Sequence, residues 1–435
     1  MSAVVEEVPR PQAGVESRVR VWVRLLAAYF TTQTVSQLIG ITTGLLFINF
    51  MPMREFALYT LALSVITFFT FVTDLGSTTS LLHFFHRSAK GEGEFAPHLA
   101  AVLSLRRSAF WIGAAGVAIF FPQAALAKGY GGWEIALSVA GILLCVGFQI
   151  LSSLRLLGLR LSDRYGQSYR AELAGSGIRL LWALGMIGAS LLVAWAGVLA
   201  SALAAGTVAL LARPERRPKP LALDLAPYRR RVLRYLLPTL PSALYFAVQG
   251  PLTVWLAATF GSTRSLAEVG ALSRLGMVVG LFSTLISVIF LPRLSRVTDD
   301  RLYLTRYLQF GAALACVAAA LLGAAAVFPR LFLLLLGGNY TGLQRELLLV
   351  VGGAGVSLLG GYVVNVNLAR SWTRWQVLTL VVEISVQAAL ITVLPLATTA
   401  GVLTLSLLGT ATGVLLQMTI AFLGFRNPRR VEWRT

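Results

Sequence analysis

Three ionisable residues lie inside long apolar segments of this chain: Arg179, Arg274 and Glu383. A charged side chain at the centre of a membrane costs roughly 2.5 to 3.5 kcal/mol on insertion scales, so such residues are functional candidates by default. A guanidinium group can bind phosphate through two parallel hydrogen bonds, and a buried carboxylate is either protonated or paired with a cation. The three residues therefore predict sites for an anionic ligand and for an ion.

Each of the three residues could instead have a purely structural role, and the support for that role differs among them. Arg179 begins its segment on the side where basic residues belong, and a side chain that reaches the membrane surface is favoured there. Arg274 enters from the other side, against that rule, and a role in a cavity is as well supported as a structural one. For Glu383, ion coupling and an interhelical hydrogen bond are equally compatible with the sequence.

Two apolar segments also carry polar and helix-bending residues. Gln33, Gln37, Gly40 and Gly44 follow one another at helical spacing, so they share one face of a helix. A second segment contains the sequence Gln249-Gly250-Pro251, in which the proline removes a backbone hydrogen bond. We expect both segments to line a cavity and Gly250 and Pro251 to form a hinge, with plain helix packing as the alternative.

Further amides lie in the last three apolar segments. They offer the weak, numerous hydrogen bonds that sugar hydroxyls require, and they are Asn365, Asn367, Gln387 and Gln417. Together with the arginines, this favours an anionic, sugar-bearing ligand. We predict substrate contacts from Arg274, Arg179, Gln33, Gln37, Gln249 and Asn365.

The elements that position these residues are membrane-spanning helices, since 57% of the residues are hydrophobic and only 13% are charged. We predict an all-α polytopic membrane protein with about twelve transmembrane helices. The predicted spans are 25–49, 56–73, 108–126, 134–154, 174–192, 194–212, 236–259, 268–292, 308–328, 346–368, 376–396 and 399–424.

Basic residues alternate in density between the loops. The odd-numbered loops hold only Arg54, Lys128, Arg264, Arg330 and Arg345, whereas thirty Lys and Arg residues lie in the tails and even-numbered loops. By the positive-inside rule both termini are cytoplasmic. The net charge of +19 comes from arginines that lie beside the spans, where anionic lipid headgroups attract them. No nucleic-acid partner is therefore expected.

The spans divide into two related halves. Residues 213–235 form the longest polar interval and read as a basic cytoplasmic linker between an N-lobe at 25–212 and a C-lobe at 236–424, flanked by cytoplasmic tails at 1–24 and 425–435. Glu55 at the start of the second span aligns with Glu268 at the start of the eighth. Two halves of six spans predict a pseudo-two-fold axis along the membrane normal and a cavity between the lobes.

Several segments, in order and spacing, resemble those of Wzx-type polysaccharide flippases, within the superfamily of multidrug, oligosaccharidyl-lipid and polysaccharide exporters. They are Phe56-Ala-Leu-Tyr-Thr-Leu-Ala-Leu-Ser, Thr73-Asp-Leu-Gly-Ser, Leu236-Leu-Pro-Thr-Leu-Pro, Val269-Gly-Ala-Leu-Ser-Arg-Leu, Phe290-Leu-Pro-Arg-Leu-Ser-Arg and Leu336-Gly-Gly-Asn-Tyr. The resemblance implies that a polyprenyl-pyrophosphate-linked oligosaccharide is moved across the bacterial inner membrane by alternating access. It also implies contact with membrane lipids, a polysaccharide polymerase and glycosyltransferases.

Other function classes are weaker. An enzyme is not expected, because the chain has no Walker sequence, only three clustered histidines (His83, His86 and His98), and short external loops. Cys145 and Cys316 each lie in an apolar segment, so neither a cofactor nor a metal site is predicted.

An ion-coupled drug or metabolite extruder, and a non-transporting polymerase or scaffold of the same pathway, remain alternatives. The first span contains no Asp or Glu, which drug-extruding relatives usually keep there. The relatives that flip peptidoglycan precursors have two further spans and a first lobe rich in arginine, which this sequence lacks.

Overall fold

The structure is a computed structural model that describes residues 15–89, 95–213, 224–237, 240–286, 294, 299–370, 372 and 374–427. Among these residues, the first half of the chain contributes seven helices: α1 Val15–Phe50, α2 Met53–Asp74, α3 Ser77–Ala89, α4 Phe95–Leu126, α5 Gly132–Leu161, α6 Tyr165–Gly188 and α7 Ala194–Leu211. The second half forms α8 Ala226–Leu236, α9 Leu240–Phe260, α10 Thr263–Leu285, α11 Asp300–Val327, α12 Pro329–Leu336, a 3₁₀ turn Gly338–Tyr340, α13 Gln344–Ala369, α14 Gln376–Val393 and α15 Thr399–Arg426.

Twelve long helices form two lobes of six, which confirms the predicted fold class. Within the described residues, nine helices qualify as membrane spans by length and composition. Helices α1, α6 and α10 complete the twelve, and the shortest of these three has 23 residues, or about 35 Å, enough for a core of ~30 Å. Helix α1 begins, and helix α15 ends, on the side of the membrane where α7 connects to α8. We call this the basic side and the other face the opposite side.

The two lobes repeat one capping arrangement on the opposite side. In the N-lobe, the Glu55 carboxylate at the start of α2 accepts a hydrogen bond of 2.8 Å from the backbone of Ala194, where α7 begins. In the C-lobe, the Glu268 carboxylate on α10 accepts one of 2.6 Å from the Thr399 hydroxyl, where α15 begins. Each glutamate on a lobe's second long helix thus fixes the start of its sixth, as the predicted pseudo-two-fold axis requires.

A buried tyrosine accompanies each glutamate. Tyr130 follows the third long helix of the N-lobe, and Tyr340 follows the third long helix of the C-lobe. Burial, with the negative charge of Glu268 as a smaller cause, raises the pKa of the Tyr340 hydroxyl to about 12. The pKa of Tyr130 is raised by the same two causes, with Glu55 as the charge. Both tyrosines therefore stay neutral hydrogen-bonding groups at physiological pH.

Small residues let the helices approach closely within and between lobes. A Cβ on Gly141 of α5 would lie 2.9 Å from Val198 of α7. Between the lobes, a Cβ on Gly270 of α10 would overlap the side chain of Thr60 on α2. Close contact of this kind replaces the hydrophobic driving force that helices lack inside a membrane.

On the opposite side, hydrogen bonds also join the lobes. The Asn49 amide at the end of α1 donates to the carbonyl of Leu335 in α12 over 2.9 Å. The Lys128 ammonium group, in the loop after α4, donates to the carbonyl of Gly261 after α9. In this structure the lobes are therefore tied together at that side.

Several helices are longer than the predicted spans, and one boundary that the sequence left open is resolved. The prediction left open whether the fifth and sixth spans are separate, and they are distinct helices divided at 189–193. The third span was predicted from 108, but α4 begins at Phe95, and α5 continues to Leu161. Hydropathy marks only the part of a helix inside the membrane, so polar ends that extend past the surface are missed.

Three short helices lie outside the spans. They are α3, which follows the second span, α8 in the second half of the predicted linker, and α12, which follows the ninth span. The first part of the linker, 214–223, and most of the segment 290–296 lie outside the described residues. So do most of the predicted C-terminal tail and 1–14 of the N-terminal tail.

Candidate functional site

A cavity of about 640 Å³ lies between the two lobes. Its walls come from α2, α5, α6 and α7 of the N-lobe and from α9 and α10 of the C-lobe. Arg179 on α6 and Arg274 on α10 both line it, so one arginine from each lobe reaches the same space. The lining extends from Thr60, about 10 Å from the opposite-side end of α2, to Val208, about 5 Å from the basic-side end of α7. The cavity therefore lies within the membrane and reaches towards the basic side.

Arg179 is directed into the protein. Its Nη2 donates a hydrogen bond of 3.0 Å to the hydroxyl of Tyr59, a residue of α2 that is fully buried. The interpretation of Arg179 as a side chain that reaches the membrane surface is therefore wrong. Tyr59 lies only six residues from the opposite-side end of α2, so the guanidinium group is held on the far side of the membrane centre from the basic surface.

Arg274 is 9% exposed and packs beneath α1. A Cβ on Gly44 would lie 3.3 Å from Arg274 Cδ, so the glycine leaves room for the arginine stem. Arg274 lies close enough to Arg179 for the two positive charges to interact. One guanidinium group from each lobe therefore lines the cavity, and the two repel one another.

A carboxylate also lines the cavity, but it has a basic partner. Glu172 Oε1 lies 2.6 Å from Arg160 Nη2, which belongs to the basic end of α5. Glu172 and Ser176 share a helix face with Arg179, at i, i+4 and i+7. With the glutamate neutralised by Arg160, the two guanidinium groups leave the cavity positive.

Sequence reasoning missed Glu172 and Tyr59. Glu172 fell outside the predicted fifth span, which began at 174 rather than at Tyr165 where α6 begins. Its seven-residue spacing from Arg179 was the available signal. Tyr59 was part of a resembling segment, yet its contact with a residue 120 positions away has no local signature.

Hydroxyl and amide groups complete the polar wall. The lining residues of this kind are Thr60, Ser64, Thr67, Gln149, Ser152, Ser176, Ser201 and Ser273. Thr60 Oγ1, Ser201 Oγ and Arg179 Nε are buried and have no hydrogen-bond partner within the part of the chain that the structure describes. Buried polar atoms usually find a partner, so these groups favour a polar occupant, water or ligand, in the cavity.

The predicted hinge residues lie at the cavity. Gly250 and Pro251 both line it, and α9 continues through them from Leu240 to Phe260. Pro251 cannot donate to the carbonyl of Ala247, so the helix is weakened at this level. Bending at Gly250 and Pro251 remains a prediction.

The predicted amides lie elsewhere. Gln249 Nε2 donates to Gln387 Oε1 over 2.6 Å, and Gln387 in turn donates to the Tyr245 hydroxyl over 3.1 Å. Asn365 donates to the carbonyl of Gly361 within its own helix over 2.7 Å. Gln33 and Gln37 are half-buried on α1. None of these four predicted amides (Gln33, Gln37, Gln249 and Asn365) is among the described residues that line the cavity, and their contacts with substrate stay predictions.

Glu383 lies inside the C-lobe, apart from the cavity lining. It hydrogen-bonds with Tyr245, which connects it to the amides of Gln387 and Gln249. Two glycines of α15 make space for this network, because a Cβ on Gly413 would lie 2.9 Å from Glu383 Oε1 and one on Gly409 would lie 3.0 Å from Gln387 Nε2. The network joins α9, the predicted hinge helix, to α14.

The histidines form part of an aromatic cluster on the basic side. The ring of His98 stacks on Phe84 at 4.1 Å, and the ring of His83 stacks on Tyr235 of α8 at 4.9 Å. Within the described residues no group of three or more metal-binding side chains occurs. The His86 side chain lies outside the described part of the chain.

Comparison with known proteins identifies the fold. No protein-family model matches the sequence, and no curated protein matches it either. Among solved structures, the lipid II flippase MurJ in an inward closed conformation superposes with a TM-score of 0.72 at 12% identity, covering 91% of this chain and 87% of that one. An inward-facing multidrug resistance MATE family transporter of the MOP superfamily gives 0.57 at 16% identity, covering 91% and 94%.

A third structure is a MOP superfamily transporter from Pyrococcus furiosus, described as having a binding pocket of reversed polarity. It gives a TM-score of 0.54 at 15% identity and covers 93% of this chain and 96% of that one. At these identities the likeness establishes the fold and no more. The chain therefore has the two-lobe, twelve-helix architecture of these transporters.

Proposed function

We propose that this protein is a flippase that moves a polyprenyl-pyrophosphate-linked oligosaccharide from the cytoplasmic to the outer leaflet of a bacterial inner membrane. The proposal depends on one observation above all: Arg179 and Arg274, one from each lobe, meet in a single polar cavity. Guanidinium groups bind phosphate oxygens in pairs and are weakly hydrated, so they suit a diphosphate that leaves water. Because both lobes contribute to the site, any movement of one lobe relative to the other changes the distance between the two arginines.

The cavity's other groups are consistent with sugars next to the diphosphate. Eight hydroxyl or amide side chains surround the arginines, and each offers a weak hydrogen bond to a sugar hydroxyl. A volume of about 640 Å³ falls in the usual range for small-molecule sites. The diphosphate and its first sugars would therefore occupy the cavity.

Alternating access is supported by the interlobe contacts. The lobes are tied together on the opposite side by Lys128 and Asn49, and the MurJ structure, which superposes with a TM-score of 0.72, is in an inward closed conformation. We infer that the basic side is cytoplasmic and that both termini lie there. Substrate would enter in this state, and breaking the opposite-side contacts would release it outwards.

Glu383 is the proposed coupling group. Its hydrogen bond to Tyr245 connects it through Gln387 to Gln249, which precedes Gly250 and Pro251 in α9. Loading a proton or cation at Glu383 would alter this network and so bias the hinge helix. The energy of the ion gradient would then reach the cavity through α9.

An ion-coupled extruder of cations is the second candidate, and Glu172 is the observation that favours it. A carboxylate in the cavity is what a cationic drug needs. Its ion pair with Arg160, however, leaves it satisfied, and the two guanidinium groups of Arg179 and Arg274 repel a cation. A polymerase or scaffold of the same pathway has no such observation in its favour, and contact with polymerases or glycosyltransferases rests on the sequence resemblance alone.

Reconstituted vesicles distinguish these candidates. The purified protein would be given either a fluorescent polyprenyl-diphosphate-linked saccharide or a cationic dye, with a proton or sodium gradient imposed in each case. We expect translocation of the lipid-linked saccharide and none of the dye. Dye transport without saccharide translocation would replace the flippase proposal by the extruder.

A further inference from the structure

A second cavity, apolar in character, lies behind the contact between α2 and α9. It is a groove of about 570 Å³ bounded by α2, α4 and α9, and aromatic rings form much of its wall: Phe68, Phe69, Phe120, Phe121 and Trp255. Phe69 is 1% exposed at the floor, whereas Phe120 is 70% exposed at the rim. The groove is therefore open to the surrounding lipid and closed towards the protein.

The groove extends through a large part of the membrane. Along α4 it runs from Gly113 to Ala124, about 16 Å, or half of a core of ~30 Å. Ala124 and Thr259 lie close to the opposite-side ends of α4 and α9. A chain lying in the groove would thus extend from near the opposite surface towards the middle of the membrane.

One hydrogen bond joins the lining of this groove to the lining of the polar cavity. Ser64 lines the cavity and Trp255 lines the groove, and Trp255 Nε1 donates to Ser64 Oγ over 3.1 Å. Phe68 packs edge-on against Trp255 at 4.9 Å between ring centres. A positive, polar compartment and an aromatic, apolar one therefore share a single wall.

We infer that this groove holds the isoprenoid chain of the lipid-linked substrate while its diphosphate and sugars occupy the central cavity, an inference that rests on the proposed function. A soluble sugar phosphate would need only the cavity, and a bulk phospholipid would need only the groove. An amphiphile with an anionic head and a long apolar chain uses both, and it uses them across one shared wall. In this arrangement the bond between the diphosphate and the isoprenoid chain passes through the shared wall at Trp255 and Ser64. The hydrogen bond between these two side chains closes that passage when no substrate is bound.

Glycines on α4 provide a test with a matched control. Gly113 is covered by the ring of Phe69, but a Cβ on Gly116 would meet no atom within 4 Å, so a larger side chain there would project into the groove. Gly185 on α6 has equal space and does not line the groove. Gly116→Leu fills the groove, and Gly185→Leu is the control for a new leucine in a spanning helix.

The experiment uses the full-length protein in vesicles and a polyprenyl diphosphate with a photoreactive diazirine near the end of its chain. We expect cross-links within 61–72 and 113–124, at least fivefold fewer in Gly116→Leu, and no change in Gly185→Leu. Phosphatidylcholine with the same diazirine should label the groove at most one fifth as strongly. Equal labelling by phosphatidylcholine, or cross-links that Gly116→Leu leaves unchanged, would overturn the inference.

Binding of isopentenyl diphosphate to the same variants reports on the head-group site alone, because a five-carbon chain cannot fill the groove. We expect Gly116→Leu to leave this binding unchanged and Arg274→Ala to weaken it at least tenfold. If that pattern holds but the groove labelling is insensitive to Gly116→Leu, the groove inference fails and the proposed function stands. Binding that Arg274→Ala leaves unchanged would remove the proposed function, and the inference with it.

Discussion

Arg179 donates a hydrogen bond of 3.0 Å to the Tyr59 hydroxyl, and both this arginine and Arg274 of the other lobe line the cavity between the lobes. Tyr59 is fully buried and cannot move without disturbing α2. It therefore holds the Arg179 guanidinium group in place in a cavity that Arg274 also lines, and the Glu172 carboxylate of the same lining is paired with Arg160. An anion that binds both arginines would relieve their repulsion, so the arrangement is prepared for a negative ligand.

The fit of α1 against Arg274 provides the first prediction. Gly44→Ala would place a methyl group 3.3 Å from Arg274 Cδ and displace the guanidinium group by a few tenths of an ångström, so we expect weaker binding of a polyprenyl diphosphate. Gly40→Ala, one turn earlier on α1, meets no atom within 4 Å and should bind as the wild type does. Equal affinities of the two variants, measured by titration in detergent, would show that α1 does not position Arg274.

The contact between α2 and α10 provides the second prediction. Gly270→Ala forces its new methyl group into Thr60, so we expect loss of the closed packing, at a cost of roughly 1 to 3 kcal/mol for an overpacked core. Gly276→Ala on the same helix makes ordinary contacts, the nearest at 3.7 Å, and should be tolerated. Thermal unfolding of both variants measures the difference. A Gly270→Ala protein as stable as Gly276→Ala would mean that the lobes separate freely at this point.

The proposed coupling role of Glu383 provides the third prediction. Glu383→Gln keeps the hydrogen bond to Tyr245 but cannot exchange a proton, so we expect substrate movement without a response to the ion gradient. In cells, surface polysaccharide should be lost while the protein remains folded and in the membrane. Tyr245→Phe, which keeps the carboxylate, should retain part of the response. Normal gradient-driven translocation by Glu383→Gln would exclude Glu383 from coupling.

Orientation in the membrane provides the fourth prediction, because basic residues avoid one face. In a variant without Cys145 and Cys316, single cysteines next to Lys128 and next to Arg264 should react with a membrane-impermeant thiol reagent in intact cells. A cysteine next to Arg216 should react only after the cells are opened. Labelling of the Arg216 position from outside would reverse the orientation, and with it the direction of transport proposed here.

The architecture could be predicted from the sequence because apolar length and loop charge report directly on membrane crossings. The pairing of Glu55 with Glu268 was also readable, and the structure shows its reason in the two matching helix-start contacts. Helix ends were not readable, since a helix that leaves the membrane becomes polar while it continues. Glu172 was missed on that account.

The composition of the cavity could be predicted only in part. Arg274, Gly250 and Pro251 lie where the cavity was expected, but which face of a helix meets a cavity depends on packing between distant segments. Tyr59 and Arg179 are 120 residues apart, and no periodicity connects them. A polar residue in a span need not line the cavity. Gln249, for example, donates its hydrogen bond to Gln387 inside the C-lobe.

The most direct measurement is translocation of a polyprenyl-diphosphate-linked oligosaccharide in vesicles by wild type, Arg274→Lys, Arg274→Ala and Arg179→Ala at matched protein levels. A lost charge-assisted contact is worth roughly 1.5 to 3 kcal/mol, so we expect the substrate concentration for half-maximal translocation to rise about 10- to 150-fold in each alanine variant. Arg274→Lys should be intermediate, since it keeps the charge and loses the two-pronged geometry. Equal translocation by all four proteins would contradict the account, because the two arginines would then have no part in recognising the substrate.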